Sequence, residues 1–106
     1  FTIVLIPTGI KAKLTEGKYL QMCLRSSVAI KRTLIMPNSP GIVDADYYNN
    51  PDNEGEIFVP VLNLSALPVK IDKGQRIAQG IILDYNKVTG DVSTTTRTGG
   101  MGSTGT

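Results

Sequence analysis

The sequence predicts an all-β fold, a jelly-roll sandwich built from short strands. Two observations favour it: short apolar or alternating runs recur along most of the chain, and clusters of Pro, Gly, Asn and Ser separate them. Many short strands at close spacing are typical of sandwiches and jelly rolls. The length of 106 residues suits one domain, which at this size buries roughly 65% of the surface of its unfolded chain.

The first part of the chain contains three predicted strands and one predicted helix. Residues 2–6 form an apolar run that Pro7 ends, and residues 10–14 alternate between apolar and lysine side chains. A further strand is predicted over residues 19–24. A helix of one or two turns is predicted over residues 26–31.

The middle of the chain contains two short predicted strands that flank a turn, followed by a long buried strand. Residues 34–36 and 41–43 flank a turn that holds two prolines. Residues 56–64 are apolar on both faces, as expected for a strand between two sheets. Pro60 within this run implies an edge position or a bulge. The last two strands are predicted over residues 69–71 and 76–83.

Two segments fall outside this pattern of strands. Residues 49–55 are polar and rich in turn formers, so we expect an exposed loop. Residues 89–106 are rich in Thr and Gly, and this segment cannot bury enough apolar surface to fold alone. We therefore expect a β core over residues 1–88 and a flexible C-terminal arm over residues 89–106.

Charge and cysteine content exclude several classes of function. Eleven Lys and Arg against nine Asp and Glu leave a net charge of +2 with no run of like charge, so neither nucleic-acid nor membrane binding is predicted. The chain has no histidine, which removes Ser-His-Asp and Cys-His catalysis. Any acid–base chemistry then rests on a carboxylate, Lys, Tyr or Cys23. The single cysteine favours a reducing compartment, and we expect a cytoplasmic protein.

Two segments carry donors that suit an anion. Arg25, Ser26 and Ser27 place a cation and two hydroxyls at the end of a predicted strand, where the chain enters the predicted helix. An N-cap serine beside a surface arginine is the commoner meaning of this pattern. Gln79 can donate to an anion or can simply lie on the surface of a strand.

Asp44 and Asp46 are the candidate carboxylates. In an extended chain their side chains share one face, so one carboxylate could activate water while hydrogen bonds fix the other. Aspartates are also ordinary where a strand turns into a polar loop. Geometry alone does not choose between the two.

The end of the chain matches G-x-G-x-x-G formally, over residues 100–105. A dinucleotide site needs this motif between a strand and a helix, and the sequence ends one residue later, so such a site is not predicted. Glycine N–H groups, the Ser103 hydroxyl and the Arg97 guanidinium suit a flexible clamp on phosphates. A solvated tail is the simpler alternative.

The order of these segments resembles that of the trimeric dUTPase family, from about Val4 to Thr106. Four of the family's five motifs are matched in order, by Arg25-Ser26-Ser27, by Asn38 with Gly41-Ile42-Val43-Asp44-Ala45-Asp46-Tyr47, by Gly74-Gln75-Arg76-Ile77-Ala78-Gln79, and by Arg97 with the glycine-rich run from Gly99 to Gly105.

The resemblance implies a homotrimer, with sites at subunit boundaries, that hydrolyses dUTP to dUMP and pyrophosphate. It assigns Asp44 as the base that positions the attacking water, and Tyr47 as the ring that packs under the deoxyribose and excludes UTP. It assigns substrate binding to the remaining residues: the phosphates to Arg25, Ser26, Ser27 and Gln79, uracil to Asn38, Gly41, Ile42 and Val43, and closure from another subunit to Arg97, Met101, Gly102 and Ser103. Mg²⁺ is expected as cofactor, held mainly by the triphosphate and water.

The sequence departs from the family pattern at three main points. Met101 stands where most members have an aromatic residue, residues 49–54 are extra, and the family's first motif, Ala-Gly-x-Asp-Leu, has no counterpart in the 106 residues. Two alternatives stay open. One is a relative of the dCTP deaminases, which Tyr47 disfavours, and the other is a non-catalytic nucleotide-binding or regulatory trimer, which the missing first motif favours.

Overall fold

Two antiparallel three-stranded sheets form the protein in the computed structural model, which describes residues 1–86. The elements are β1 (Ile3–Pro7), β2 (Lys18–Leu24), α1 (Ser26–Arg32), β3 (Leu34–Ile35), β4 (Gly41–Asp44), a 3₁₀ turn (Ala45–Tyr47), β5 (Phe58–Asn63) and β6 (Ala78–Asp84). One sheet has the order β1-β5-β3 and the other has the order β4-β2-β6. The predicted all-β sandwich is confirmed.

The hydrophobic core lies between the inner faces of the two sheets. Alternate residues of β2 and β4 point inward, as a period of two requires. The buried hydrophobic side chains are Met22, Leu24, Val28, Leu34, Met36, Val43, Tyr47, Ile57, Val59, Val61 and Ile77. β2 is the central strand of its sheet, and its inward-facing Met22 and Leu24 are buried.

Two predicted strands are wrong: residues 10–14 and 69–71 are not strands in the structure. The alternation in both segments has another cause. Ala12 packs against the core between exposed lysines, and Val69 and Ile71 pack against it on either side of exposed Lys70. Alternation with a period of two therefore indicates an extended segment with one side against the core. A strand also needs a neighbouring strand with which to form a ladder of hydrogen bonds.

Pro60 lies in a central strand, yet the ladder avoids it on one side. β5 pairs with β1 from Phe58 to Leu62, and Leu5 lies opposite Pro60 in this ladder. β3 pairs with β5 only at Leu62 and Asn63. Pro60 thus lies beyond the end of β3, where a residue without an N–H donor costs no ladder hydrogen bond on that side.

Within residues 1–86, no helix has the length and apolar character that crossing a membrane requires.

Candidate active site

Arg25 lies at the junction of β2 and α1 and is tied to the start of β6. Its backbone N–H donates to the carbonyl of Ile77 at 2.9 Å, and its Nη1 donates to the carbonyl of Arg76 at 3.5 Å. Ser26 and Ser27 follow as the first two residues of α1, and both are exposed. The predicted helix over 26–31 is confirmed and extends to Arg32.

Gln79 lies beside this junction on β6. It pairs with Cys23 of β2, and its Nε2 contacts Cys23 Sγ at 3.5 Å. The fold therefore brings Arg25, Ser26, Ser27 and Gln79 to one end of the β4-β2-β6 sheet, and we call these four residues the donor cluster. A guanidinium, two hydroxyls and an amide all donate hydrogen bonds, which is the chemistry that phosphate oxygens need.

The turn over residues 37–40, which we call the β3–β4 turn, connects β3 in one sheet to β4 in the other and ends at the buried Gly41. The N–H of Ser39 donates to the carbonyl of Met36 at 3.0 Å, and the Ser39–Pro40 peptide bond is cis. A Cβ added at Gly41 would lie 3.4 Å from Met36 Sδ and 3.6 Å from Asn38 Nδ2. The Asn38 amide therefore lies close to the Gly41 backbone. The two ends of the segment that the resemblance assigns to uracil binding are thus near each other.

β4 presents alternate side chains to the core and to the outer face of its sheet. Gly41 and Val43 are buried, while Ile42 and Asp44 are exposed. Asp44 is the last residue of the strand, and its position is fixed by pairing with Tyr19 of β2. The Asp44 carboxylate therefore lies at the exposed end of a strand that the central strand of the sheet holds in place.

The structure does not bring Asp44 and the donor cluster into one pocket of a single chain. Both lie on the outer face of the sheet, but Asp44 is opposite Tyr19 whereas Gln79 is opposite Cys23. Two inter-strand spacings, across β2, and four residues along the strands separate them, which is on the order of 15 Å between Cα atoms. The row between them contains Ile42 and Ile81, whose exposed fractions are 52% and 53%.

The two candidate carboxylates do not share a strand face, so that expectation is wrong. The strand ends at Asp44, and Asp46 lies in the 3₁₀ turn that follows. A 3₁₀ turn rotates successive side chains by about 120°, so the period of two no longer applies. The backbone, as well as the family resemblance, thus distinguishes Asp44 from Asp46.

Tyr47 is part of the core rather than an exposed ring. Its exposed fraction is 7%, its hydroxyl donates to the carbonyl of Glu56 at 2.7 Å, and it accepts from Asn53 Nδ2 at 2.8 Å. The predicted contact with a sugar stays a prediction. These bonds fix the height of the ring, because one end is held from two directions.

The segment of residues 49–55, which we call the 49–55 loop, is not the wholly exposed loop that its composition predicts. Asn50 is 1% exposed, and Gly55 is buried. The N–H of Asn50 donates to the carbonyl of Tyr47 at 3.0 Å, and the N–H of Glu54 donates to the carbonyl of Asn50 at 2.7 Å. Polar turn formers become buried here because they bond one another across a folded turn.

Gly55→Ala is expected to destabilise the fold by about 3 kcal/mol, since left-handed backbone costs an alanine roughly 1–2 kcal/mol and overpacking adds about 1–3 kcal/mol. The φ of Gly55 is +83°, and a Cβ there would lie 2.6 Å from both Asn49 N and Tyr47 O. Gly74 is the matched control, because its φ is +86° and its Cβ position is open. Chemical denaturation checks this prediction, and equal losses for Gly55→Ala and Gly74→Ala would contradict it.

Sequence reasoning missed the groups that hold Tyr47, of which Asn53 acts through its side chain and Glu56 through its backbone carbonyl. Asn53 and Glu56 bond its hydroxyl, and Asn50 is almost fully buried beneath the loop, with an Oδ1 that accepts no hydrogen bond within residues 1–86. Runs of Asn and Gly indicate a turn but do not indicate what the turn touches. The one sequence feature that points to this contact is the separation of only six residues between Tyr47 and Asn53.

Metal-binding chemistry is limited in the part of the chain that the structure describes. Residues 1–86 contain no group of three or more His, Cys, Asp or Glu side chains that could enclose an ion. The hard oxygen donors at the end of β4 are the carboxylates of Asp44 and Asp46. Such a donor set fits an ion that keeps most of its ligands as water and substrate oxygens, which is how Mg²⁺ is usually bound.

Several predicted residues lie outside the described residues. They are Arg97, Met101, Gly102 and Ser103, together with the whole predicted arm over residues 89–106 and the boundary at residue 88. Their roles stay predictions. A cleft of about 300 Å³ does lie within the described part, but it is lined by Val4, Ile6, Val61 and neighbouring residues of the other sheet and contains none of the predicted site residues.

Comparison with known proteins identifies the family of the chain. The dUTPase family model matches residues 1–105. The chain is 47% identical over 105 residues to deoxyuridine 5'-triphosphate nucleotidohydrolase from Lactococcus lactis and 44% identical over 109 residues to that from Rickettsia prowazekii, spanning 97% and 98% of this chain and 70% of each relative. The crystal structure of dUTPase from Streptococcus mutans superposes with a TM-score of 0.80 at 42% identity, covering 83% of this chain and 69% of that one. On these grounds the chain belongs to the dUTPase family.

Proposed function

We propose that the protein hydrolyses dUTP to dUMP and pyrophosphate. The observation that carries this proposal is the family match over residues 1–105, with relatives named as dUTP nucleotidohydrolases at 42–47% identity. The geometry of the two groups of site residues supports a division of roles, in which the donor cluster binds the phosphates and the β3–β4 turn, with the start of β4, binds uracil.

Binding of the triphosphate falls to the donor cluster. The Arg25 guanidinium can form paired hydrogen bonds with phosphate oxygens, and its exposure leaves that face accessible. Ser26, Ser27 and Gln79 add neutral donors that orient the phosphates without adding charge. Preorganised donors of this kind stabilise charge that develops as the bond to the leaving pyrophosphate breaks.

The β3–β4 turn and the first residues of β4 recognise uracil. β4 is an edge strand of its sheet among residues 1–86, and an edge strand presents N–H and C=O groups that can pair with the edge of a base. Asn38, folded over Gly41, supplies both an amide donor and an acceptor. Gly41, Ile42 and Val43 contribute backbone groups, and close walls exclude the methyl group of thymine.

Asp44 activates the water. Its carboxylate accepts a proton as the water oxygen attacks the α-phosphorus in line with the leaving pyrophosphate, so that the new P–O bond forms as the bond to the bridging oxygen breaks. A positioned general base supplies about 10²–10⁴-fold. The remaining acceleration comes from orientation and from the donors on the phosphates.

Hydrolases of this family are generally metal-dependent, and we propose Mg²⁺ as the ion. When bound, it neutralises charge on the phosphate oxygens. The described residues fit an ion held mainly by the triphosphate and water, so no side chain of residues 1–86 is assigned as its ligand.

The separation of the two groups favours a site shared between subunits. In one chain, Asp44 and Gln79 are on the order of 15 Å apart, with exposed Ile42 and Ile81 between them. Packing of identical chains in a homotrimer would cover these isoleucines. It would also place the donor cluster of one subunit against the β3–β4 turn and Asp44 of another. The cytoplasmic location likewise stays a prediction.

Tyr47→Ala is expected to lower turnover of dUTP and to raise the ratio of kcat/KM for UTP to that for dUTP. The ring occupies the volume that a 2′-hydroxyl would need, so removing it admits the ribonucleotide while weakening support of the deoxyribose. Competition kinetics with both nucleotides measure the ratio. Unchanged discrimination would mean that the sugar is recognised elsewhere.

Product analysis tests the proposal as a whole. The full chain is incubated with Mg²⁺ and one nucleotide in each of four separate reactions, with dUTP, UTP, dTTP or dCTP. The nucleotide products and pyrophosphate are then quantified. We expect dUMP and pyrophosphate from dUTP alone. Formation of dUTP from dCTP would instead identify a deaminase, and binding of nucleotide without turnover would identify a regulatory trimer.

A further inference from the structure

Asn53 is the residue through which the 49–55 loop contacts Tyr47. Its Nδ2 donates to Tyr47 Oη at 2.8 Å. Its Oδ1 accepts from Asn50 Nδ2 at 3.2 Å and from the N–H of Gly55 at 3.0 Å. One side chain therefore joins the inside of the loop to the hydroxyl of a core tyrosine.

The Tyr47 hydroxyl is held from two directions. It donates its single proton to the carbonyl of Glu56 at 2.7 Å, so the bond from Asn53 uses its acceptor capacity. With a donor and an acceptor both fixed, the ring cannot move along its long axis without weakening one of the two bonds. The height of the ring in the core thus depends on where Asn53 lies.

Asn53 is itself anchored by the backbone of the loop. Its N–H donates to the carbonyl of Asn50 at 3.2 Å, and its carbonyl accepts from the N–H of Glu56 at 3.0 Å. At the start of the loop, Lys11 Nζ donates to Asn49 Oδ1 at 2.5 Å and lies 4.8 Å from the centre of the Tyr48 ring. Lys11 therefore holds the start of the loop at Asn49, whereas the bonds to Asn50 and Glu56 are the ones that set where Asn53 lies.

We propose that Asn53 is a positioning residue that sets the discrimination between 2′-deoxyribonucleotides and ribonucleotides by fixing the height of the Tyr47 ring. This inference rests on the proposed function, in which that ring lies under the sugar. Steric exclusion of a hydroxyl depends steeply on distance, so a small displacement of the ring changes the affinity for UTP more than the affinity for dUTP. The 49–55 loop is on this account part of the specificity machinery.

Asn53→Asp tests the proposal with little change of shape. The aspartate keeps an oxygen that can accept from Gly55 and Asn50, but it cannot donate to Tyr47 Oη. Because the hydroxyl has a single proton, it can then donate either to the Glu56 carbonyl or to the aspartate, and one of its two present bonds is lost in either case. We expect the UTP-to-dUTP ratio of kcat/KM to rise by about 3- to 10-fold, the range that loss of one hydrogen bond permits. Both nucleotides carry the same triphosphate, so any repulsion from the added charge cancels in the ratio.

A double-mutant cycle identifies the route of the effect. If Asn53 acts through the Tyr47 hydroxyl, Asn53→Asp has no further effect on the ratio in a Tyr47→Phe background. Additive effects in the double variant would overturn the proposal, as would an unchanged ratio in Asn53→Asp. Lys11→Met is the control, because it removes an attachment of the same loop without touching Tyr47. It is expected to lower Tm slightly and to leave the ratio unchanged.

Equilibrium binding of non-hydrolysable dUTP and UTP analogues separates this inference from the proposed function. If the wild-type protein binds the deoxy analogue more tightly but does not hydrolyse dUTP, the proposed function fails, and the ratio of binding constants in the same variants still tests Asn53. If Tyr47→Ala changes the ratio and Asn53→Asp does not, the inference alone fails. Equal affinity of the wild-type protein for both analogues would overturn the inference.

Discussion

Asp44→Asn is expected to reduce kcat for dUTP by about 100-fold or more while changing nucleotide affinity little, as loss of a general base implies. Asparagine keeps the shape of the side chain and can still bond a sugar hydroxyl, but it cannot take a proton from water. The backbone at this position is held by pairing with Tyr19, so the substitution should not shift the strand. Steady-state kinetics together with calorimetric binding of a non-hydrolysable dUTP analogue measure the two effects separately.

Asp46→Asn is the matched control for this prediction. Asp46 lies two residues away in the 3₁₀ turn and is exposed, so we expect kcat to stay within about 3-fold of wild type, as for most surface substitutions. A collapse of turnover only in the Asp46 variant would assign the base to the other carboxylate. A collapse in neither variant would remove the proposed mechanism of water activation.

Arg25→Ala is expected to lower kcat/KM for dUTP by about 100- to 1000-fold, the usual cost of removing one preorganised donor to developing charge. The loss of folding stability should be small, because the side chain makes only a long bond of 3.5 Å to Arg76 and the bond from its backbone N–H to Ile77 is unaffected. Arg25→Lys should recover part of the activity, since a lysine keeps the charge but not the forked geometry.

Arg32 provides a matched arginine at the other end of α1. Its Nη1 donates to the carbonyl of Lys70 at 2.8 Å, away from the donor cluster. Arg32→Ala is therefore expected to lower Tm slightly and to leave kcat/KM close to wild type. Equal losses of activity in the two alanine variants would show that Arg25 acts through the stability of the helix rather than through phosphate.

Local pattern predicted most of the fold because most of its strands carry their own signal. The turn around residues 37–40, the short strands on either side of it and the helix that follows Arg25 were predicted from turn residues and apolar periodicity. All of them are present, although the two strands belong to different sheets. The segments at 10–14 and 69–71 carry a similar alternation but no ladder. Whether a neighbouring strand is available depends on tertiary structure, and short-range patterns contain no information about it.

The site was predictable to the extent that it follows motifs. The resemblance identified Asp44, and the structure adds that the strand ends there, so that Asp46 has a different environment. The contact of Asn53 with Tyr47 could not be predicted in the same way. It depends on how the 49–55 loop folds back, with Gly55 at a φ of +83° and Asn50 buried beneath it.

Hydrolysis of dUTP in water enriched in ¹⁸O tests the central claim most directly. Attack of an Asp44-activated water on the α-phosphorus requires that one labelled oxygen appear in dUMP and that the pyrophosphate carry none. Mass spectrometry of both products after a single turnover distinguishes the possible sites of attack. One ¹⁸O in dUMP, with unlabelled pyrophosphate, is the result that we predict, and label in the pyrophosphate, or no conversion of dUTP by the full chain with Mg²⁺, would contradict the account.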